Sequence, residues 1–192
     1  MTLKDLLHRS RSYRRFHQEP LEENTLIELL QLTRLCPSAS NRQPLKYLLA
    51  WQPEQNDKIF PQLRWAAALA PWPGPAEGER PTGYIVILGD TTVWRRWDWD
   101  CAIAGQVILM GATERGLGGC MIASIEHAAL ASALNLPGHL DILMVIALGK
   151  PGETVVLEDG SPDDRPYWRD ANSVHHVPKR ALSEVRIELP GF

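Results

Sequence analysis

Residues 37–44 read Pro37-Ser38-Ala39-Ser40-Asn41-Arg42-Gln43-Pro44 and lie between a helical run and an apolar, strand-like run. The two prolines prevent either neighbour from extending through the segment. The small and polar side chains between them predict an ordered turn that presents hydrogen-bonding groups beside exposed backbone. By its composition alone, this turn is either a plain connection or part of a binding site.

The runs on either side of the turn predict an alternation of helices and buried strands. Apolar periodicity, capping residues and breakers predict helices over 20–36, 55–70 with a break at Pro61, 101–114 and 124–134, the last capped by Ser124. Continuous apolar runs predict strands over 47–51, 83–89 and 141–149. The helix over 101–114 is apolar and rich in glycine and alanine, which suits either a core helix or a subunit-interface helix.

Composition describes an ordinary globular protein. The chain has 192 residues, of which 44% are hydrophobic and 22% are charged, and it shows no linker, so we expect one compact domain. A net charge of -3 argues against nucleic acid or an anionic membrane as a partner bound by bulk charge. An anion site would therefore need local cations.

The cysteines and histidines indicate a cytoplasmic protein without a metal centre. Three cysteines far apart in sequence suit reduced thiols rather than disulfides. The charged N-terminus predicts no signal peptide, and no apolar run approaches the ~18 residues of a membrane span. His175 and His176 are adjacent, so on a strand they would point to opposite faces and not chelate one metal.

Two basic clusters lie near the ends of the chain. Residues 9–16 hold four arginines in eight positions, with Tyr13 and Phe16 as anchors to the core. Guanidinium groups interleaved with serine hydroxyls suit a phosphate, although a solvated basic turn would look the same. The second cluster is Lys179 and Arg180.

A glycine-rich stretch, residues 116–124, follows the helix over 101–114 and reads GLGGCMIAS. Its glycines end that helix and let a flat ligand approach the main chain. The pattern G-x-G-x-x-G of dinucleotide-binding folds is absent.

Four segments in this order resemble the nitroreductase family of FMN-dependent oxidoreductases, across nearly the whole chain. They are residues 11–16, 37–44, 116–122 and 177–180, which match the family patterns R-S-x-R-x-F, P-S-x-x-N-x-Q-P-W, G-L-G-x-C-W-I and a late basic residue. Leu45 and Met121 replace the usual tryptophans, and residues 65–84 match no pattern.

The resemblance implies an α+β fold in which a mixed central sheet is flanked by helices in an intertwined homodimer. Two FMN molecules would lie at the subunit interface. Residues 1–192 would form one nitroreductase-like domain, with 153–192 as a C-terminal extension that packs on the partner subunit.

The resemblance also implies the cofactor-binding residues. For the phosphate and ribityl chain they are Arg11, Ser12, Tyr13, Arg14, Lys179 and Arg180, and Arg14 would also stabilise negative charge on the reduced ring. The partner subunit's turn would supply Pro37, Ser38, Ala39, Asn41 and Gln43, and Ala123 and Ser124 would lie near the reactive nitrogen. No side chain is predicted to be a catalytic acid or base.

The activity that the resemblance implies is ping-pong transfer of hydride from NAD(P)H to FMN and then to a flat electrophile, such as a nitroaromatic, a quinone or an enone. A specialised flavin enzyme that does not use NAD(P)H is an alternative, for which residues 71–81 are the only candidate lid. Trp72 in this loop either covers a pocket or simply packs. A non-enzymatic flavin-binding protein is the third possibility, because both usual tryptophans are replaced.

Overall fold

The computed structural model describes residues 1–163, 166–189 and 191. Its helices are α1 (Leu3–Arg9), α2 (Glu23–Thr33), α3 (Pro53–Ile59), α4 (Asp98–Glu114), α5 (His127–Ala133) and α6 (Leu182–Val185). Its strands are β1 (Phe16–His17), β2 (Leu45–Ala50), β3 (Gly83–Asp90), β4 (Gly118–Ile122), β5 (Leu140–Pro151), β6 (Val155–Asp159), β7 (Trp168–Arg169) and β8 (His175–Lys179).

The central sheet is organised around β5. It pairs antiparallel with β3 over most of its length, with β4 through residues 145–149 and with β1 at its end, while β2 pairs with β3. Ser12 adds an isolated parallel bridge to Gly119 of β4. The sheet therefore contains both pairing directions, and the predicted α+β class is confirmed.

Helices cover both faces of this sheet and bury β3 on both sides. Tyr84, Val86 and Leu88 face one hydrophobic cluster, to which α3 and α5 contribute. Ile85 and Ile87 face a second cluster, to which α2 and α4 contribute. This two-sided burial explains why β3 reads as a continuous apolar run.

Helix α4 needs its small residues for close packing inside the chain. A Cβ atom at Gly111 would lie 2.4 Å from Leu32 Cδ1 and 3.0 Å from Leu29 Cδ2, both on α2. Its other face is open, since Trp99 is 80% exposed and Ala102 and Gln106 are also exposed. α4 is therefore a core helix on one face, and its exposed face could still form a subunit interface.

The tail contains more regular structure than its polar sequence predicts. β6 pairs parallel with β8, and β7 pairs antiparallel with β8, so these strands form a second sheet of three strands. The tail therefore has a sheet of its own that can position side chains.

Three predicted helices were wrong in extent. The helix predicted over 20–36 is the shorter α2, Glu23–Thr33. α3 ends at Ile59, and short 3-10 turns at Phe60–Gln62 and Ala67–Leu69 replace the rest of the helix predicted to end at residue 70. Pro61 lacks the amide hydrogen that an α-helix would need there. α5 begins at His127 with Glu126 at its N-cap, so Ser124 does not cap it.

Candidate functional site

The N-terminal basic segment is fixed against the glycine-rich strand β4. The amide of Tyr13 donates to the Gly119 carbonyl at 3.0 Å. A Cβ atom at Gly119 would lie 2.1 Å from the Ala147 carbonyl oxygen, so only glycine fits there. The Tyr13 ring lies over Gly118 and its hydroxyl donates to the Arg9 carbonyl at 3.2 Å, which makes Tyr13 the predicted anchor.

A cleft of about 380 Å³ opens beside this segment. The N-terminal segment, α4, β4 and the small C-terminal sheet all contribute to its wall. The lining residues are Ser10, Arg11, Ser12, Arg14, Gln106, Leu109, Met121, Tyr167, His175, Val177 and Lys179. The structure thus brings together Arg11, Ser12, Arg14 and Lys179, four of the residues predicted to bind the phosphate and ribityl chain.

The two arginines in the cleft differ in how they are held. Arg11 donates to the Leu7 carbonyl, and burial lowers the pKa of its guanidinium. Its Nε is buried without a hydrogen-bond partner in the described part of the chain. Arg14 donates to the Ser12 carbonyl at 3.3 Å, and its guanidinium carbon lies 5.1 Å from the centre of the Tyr167 ring.

Glu153 holds the backbone behind the cleft. Its carboxylate accepts hydrogen bonds from the amides of Arg14 and Arg15 at 2.5 and 3.2 Å, and from Arg169 Nη2 at 2.8 Å. The Glu153 side chain is only 2% exposed. This carboxylate therefore joins the N-terminal segment to the small C-terminal sheet, a role that no motif in the sequence indicated.

The two adjacent histidines point away from each other. His175 is buried in the cleft wall, where Nε2 lies 3.3 Å from Arg14 Nη1. Burial, followed by the charges of Arg14, Arg169 and His176, lowers the pKa of His175 to about 4. His176 pairs instead with Glu158 and stacks on Trp168. Within residues 1–163, 166–189 and 191, no group of three or more metal-ligating side chains occurs.

Arg180 and Lys179 are separated by the structure. Lys179 lines the cleft, whereas Arg180 donates to Ser161 at 3.3 Å and pairs with Asp163 on the loop after β6. Ala123 and Ser124 are exposed in the link between β4 and α5, two and three residues after the cleft residue Met121. Ser124 also accepts a backbone hydrogen bond from Arg64 at 2.9 Å.

The turn at residues 37–43 is held in place by hydrogen bonds to Asp100 of α4. This buried carboxylate accepts from the Ser38 hydroxyl at 2.5 Å and from the Ala39 amide at 3.1 Å. The Gln43 amide donates to the Ser38 hydroxyl at 2.8 Å, and the Gln43 side chain donates to Asn41 Oδ1 at 3.1 Å. The turn is therefore an ordered, hydrogen-bonded structure.

The backbone of the turn is strained. Ser40, Asn41 and Gln43 have φ values of 50°, 52° and 51°, in the left-handed region that non-glycine residues rarely adopt. Such conformations persist where surrounding contacts enforce them, and they are concentrated at functional sites. The turn lines a cavity of about 120 Å³ with Pro37, Ser38 and Gln43, separate from the cleft beside Arg11.

Comparison with known proteins assigns the fold and the family. The model of the Nitroreductase family matches residues 7–150. The chain belongs to this family. A provisionally named nitroreductase from Desulfovibrio desulfuricans, solved in complex with FMN, has 22% identity and a TM-score of 0.71 over 99% of this chain and 98% of its own.

Two curated relatives carry functional names. A protein of Methanothermobacter thermautotrophicus, provisionally named NADH dehydrogenase/NAD(P)H nitroreductase, is 24% identical over 86% of this chain and 85% of its own length. The 5,6-dimethylbenzimidazole synthase of Rhodospirillum rubrum is 22% identical over 74% of this chain and 79% of its own.

The proline-rich loop of this nitroreductase family member is fastened rather than free. Trp72 lies between two guanidinium groups, 4.3 Å from that of Arg169 and 6.0 Å from that of Arg15. Arg15 also pairs with Glu79 at 3.3 Å, and the Phe16 amide donates to the Glu79 carbonyl at 2.9 Å. Of the two readings of Trp72, the structure shows packing.

None of the helices in the described part of the chain combines the length and apolar character needed to cross a lipid bilayer.

Proposed function

We propose that this chain is an FMN-dependent oxidoreductase that takes hydride from NAD(P)H and reduces a flat electrophile by a ping-pong mechanism. The observation that carries the proposal is the cleft, which concentrates three cations and two serine hydroxyls in a protein of net charge -3. The FMN in the related Desulfovibrio structure and the NAD(P)H in the Methanothermobacter relative's name support the choice of cofactor and reductant.

The donors in the cleft fit a phosphorylated ligand. Arg11 Nε is a buried donor without a partner in the described chain, and a phosphate oxygen would satisfy it. Arg11, Ser12, Arg14 and Lys179 would hold the phosphoribityl part of FMN. Tyr13 would support them from below as their anchor, and Arg180 would reach the phosphate only by leaving Asp163.

A homodimer would complete the site. The turn with Pro37, Ser38, Ala39, Asn41 and Gln43 would line the partner subunit's flavin, and the open face of α4 would meet its counterpart. The extension 153–192 of the single domain would pack on the partner, because four large aliphatic side chains near its end are more than half exposed: Leu182, Val185, Ile187 and Leu189.

The flavin ring would lie beside the exposed end of β4. Ala123 and Ser124 are exposed there, and Met121 lines the cleft. Met121 and Leu45 are smaller than the tryptophans that are usual in the family, so the wall would be less aromatic. The substrate would be a small aromatic or quinone-like molecule that stacks on the ring.

The redox chemistry would be that of the bound flavin, which exchanges hydride with NAD(P)H and then with the electrophile. The protein would bind and orient both partners, and Arg14 would favour negative charge nearby. No side chain is assigned as a catalytic acid or base, and no metal is proposed. The three unpaired cysteines support the cytoplasmic setting that the sequence predicts.

The decisive experiment is the absorption spectrum of purified protein with added FMN, followed by anaerobic titration with NADH and with NADPH. We expect a bound flavin band that is bleached rapidly by at least one nucleotide. Protein that takes up no FMN would refute the proposal, and bound FMN that neither nucleotide bleaches would refute the role of NAD(P)H.

A second candidate is a specialised flavin enzyme of the same fold that does not use NAD(P)H. Similarity to the 5,6-dimethylbenzimidazole synthase of Rhodospirillum rubrum favours it. The fastened loop at residues 71–81 argues against it, because a lid that clamps a substrate needs freedom to move. The third candidate is a non-enzymatic flavin-binding protein, in which no electron donor would reduce the bound FMN.

A further inference from the structure

His175 is a buried, titratable residue of the cleft that lies outside the family patterns. It begins β8 and is 1% exposed. Its ring packs on Tyr167 with centroids 5.4 Å apart, and both rings line the cleft with Arg11, Ser12 and Arg14. The small C-terminal sheet therefore delivers an imidazole to the proposed phosphate site.

The contact with Arg14 fixes the proton on the imidazole ring. His175 Nε2 lies 3.3 Å from Arg14 Nη1, and a guanidinium can only donate. Nε2 must therefore accept, and in the neutral ring the proton lies on Nδ1. The lowered pKa of His175, which follows from burial and the neighbouring Arg14, Arg169 and His176, keeps the ring neutral at neutral pH.

The Nδ1–H group is then a donor without an acceptor. Nδ1 is buried and has no hydrogen-bond partner among the residues that the structure describes. Buried donors are nearly always paired, and an unpaired one is unfavourable. His175 lines the cleft together with cations and hydroxyls, which suit a ligand rich in acceptor oxygens.

We propose that His175 is a further cofactor-binding residue, whose Nε2 orients Arg14 and whose Nδ1–H donates to an acceptor oxygen of the phosphoribityl chain of FMN. This inference rests on the proposed function, since it requires FMN in the cleft. It adds to the binding site a neutral donor that has one fixed tautomer.

Three substitutions separate the two nitrogen atoms. His175→Phe keeps a ring and removes both, His175→Gln keeps an acceptor near the Nε2 position, and His175→Asn keeps a donor near the Nδ1 position. His176→Phe is the matched control, because it changes the neighbouring ring on the opposite face of β8, where it contacts Glu158 and Trp168.

The measurement is the dissociation constant of FMN from fluorescence quenching at pH 7.5, with riboflavin as a second ligand and circular dichroism as a check of folding. We expect His175→Phe to weaken FMN binding at least about tenfold, the glutamine and asparagine variants about threefold, and His176→Phe less than twofold. A loss seen with FMN alone would assign the acceptor to the phosphate, and a loss seen with both flavins would assign it to the ribityl chain.

The outcomes distinguish this inference from the proposed function. If the wild-type protein binds no FMN, the proposed function fails and this inference fails with it. If the wild-type protein binds FMN and His175→Phe binds it within twofold, only the inference is overturned. If His175→Phe does not fold, the inference is overturned when both the glutamine and asparagine variants bind FMN as tightly as wild type.

Discussion

Replacing Glu153 by alanine tests whether this carboxylate holds the N-terminal segment to the C-terminal sheet. The change removes the acceptor of two backbone amides, those of Arg14 and Arg15, and leaves the guanidinium of Arg169 without its partner. Arg169 is 12% exposed and Glu153 is 2% exposed, so water cannot readily replace the lost contacts.

The magnitude follows from these contacts. Breaking a buried ion pair by removing one partner costs about 3–5 kcal/mol, and each buried amide left without an acceptor costs about 1–3 kcal/mol. Because these contributions overlap, we expect Glu153→Ala to lower the free energy of unfolding by about 4 kcal/mol. For a chain of 192 residues, this corresponds to a melting temperature about 8–16 °C lower.

Urea unfolding at fixed protein and FMN concentrations measures this loss, since ligand and subunit association both affect apparent stability. Glu19→Ala is the matched control. Glu19 pairs with Lys150 at 3.4 Å, but both side chains are about half exposed or more, so its removal should cost less than about 1 kcal/mol. A Glu153→Ala protein that unfolds within about 1 kcal/mol of wild type would refute the reasoning.

Three further predictions follow from the same structure. Arg11→Ala should weaken FMN binding at least about tenfold by fluorescence quenching, because it removes the proposed charge-assisted phosphate contact, and unchanged affinity would show that the phosphate site is misplaced. The folded-state pKa of His175 is about 4, against about 6.5 in an unfolded chain, so urea unfolding should show about 3 kcal/mol of stability lost as the pH falls from about 6.5 to about 4. His175→Phe should lack that loss, and an equal slope in both proteins would contradict the assignment. Gly119→Ala should destabilise the fold by at least about 3 kcal/mol because its Cβ atom meets the Ala147 carbonyl, whereas Gly138→Ala, with no heavy atom within 4 Å, should melt within a few degrees of wild type.

The long apolar elements that form the core were predictable from the sequence. The apolar run at 83–89 corresponds to β3 (Gly83–Asp90), and the run at 141–149 corresponds to β5 (Leu140–Pro151). The apolar, small-residue run at 101–114 corresponds to α4 (Asp98–Glu114). In each case glycine, proline or a charged residue ends a mainly apolar run, so local pattern and tertiary burial agree.

Elements that depend on distant partners were not predictable. β6 and β8 pair in parallel across a long connection; β8 has no apolar run, and the run in β6 is only residues 155–157. The pattern of the alanine-rich segment after Pro61 predicts a helix. Trp65 instead packs in the core against Phe60, and the backbone around it is not α-helical. Tertiary packing outweighs local propensity in such segments.

The residues of the candidate site likewise fall into those that the sequence could name and those that only the structure reveals. The resemblance named Arg11, Ser12, Arg14 and Lys179, which the structure brings into one cleft. It could not name Glu153 or His175. Each matters through a contact with Arg14, from which they are separated by 139 and 161 residues in the chain. The sequence signal for His175 is the pair of adjacent histidines, a pattern that bears on metal chelation and does not indicate a contact with Arg14.

The cleft joins residues 10–14 to residues 167–179, so it cannot form until both segments have been synthesised. At about 5–20 residues per second, a ribosome needs roughly 8–30 s to make the chain between them. During that time the N-terminal arginines lack the part of the cleft wall that residues 167–179 provide. Under the proposed function, flavin stabilises the chain only after residues 167–179 have been made, and it does not stabilise a nascent chain arrested near residue 150.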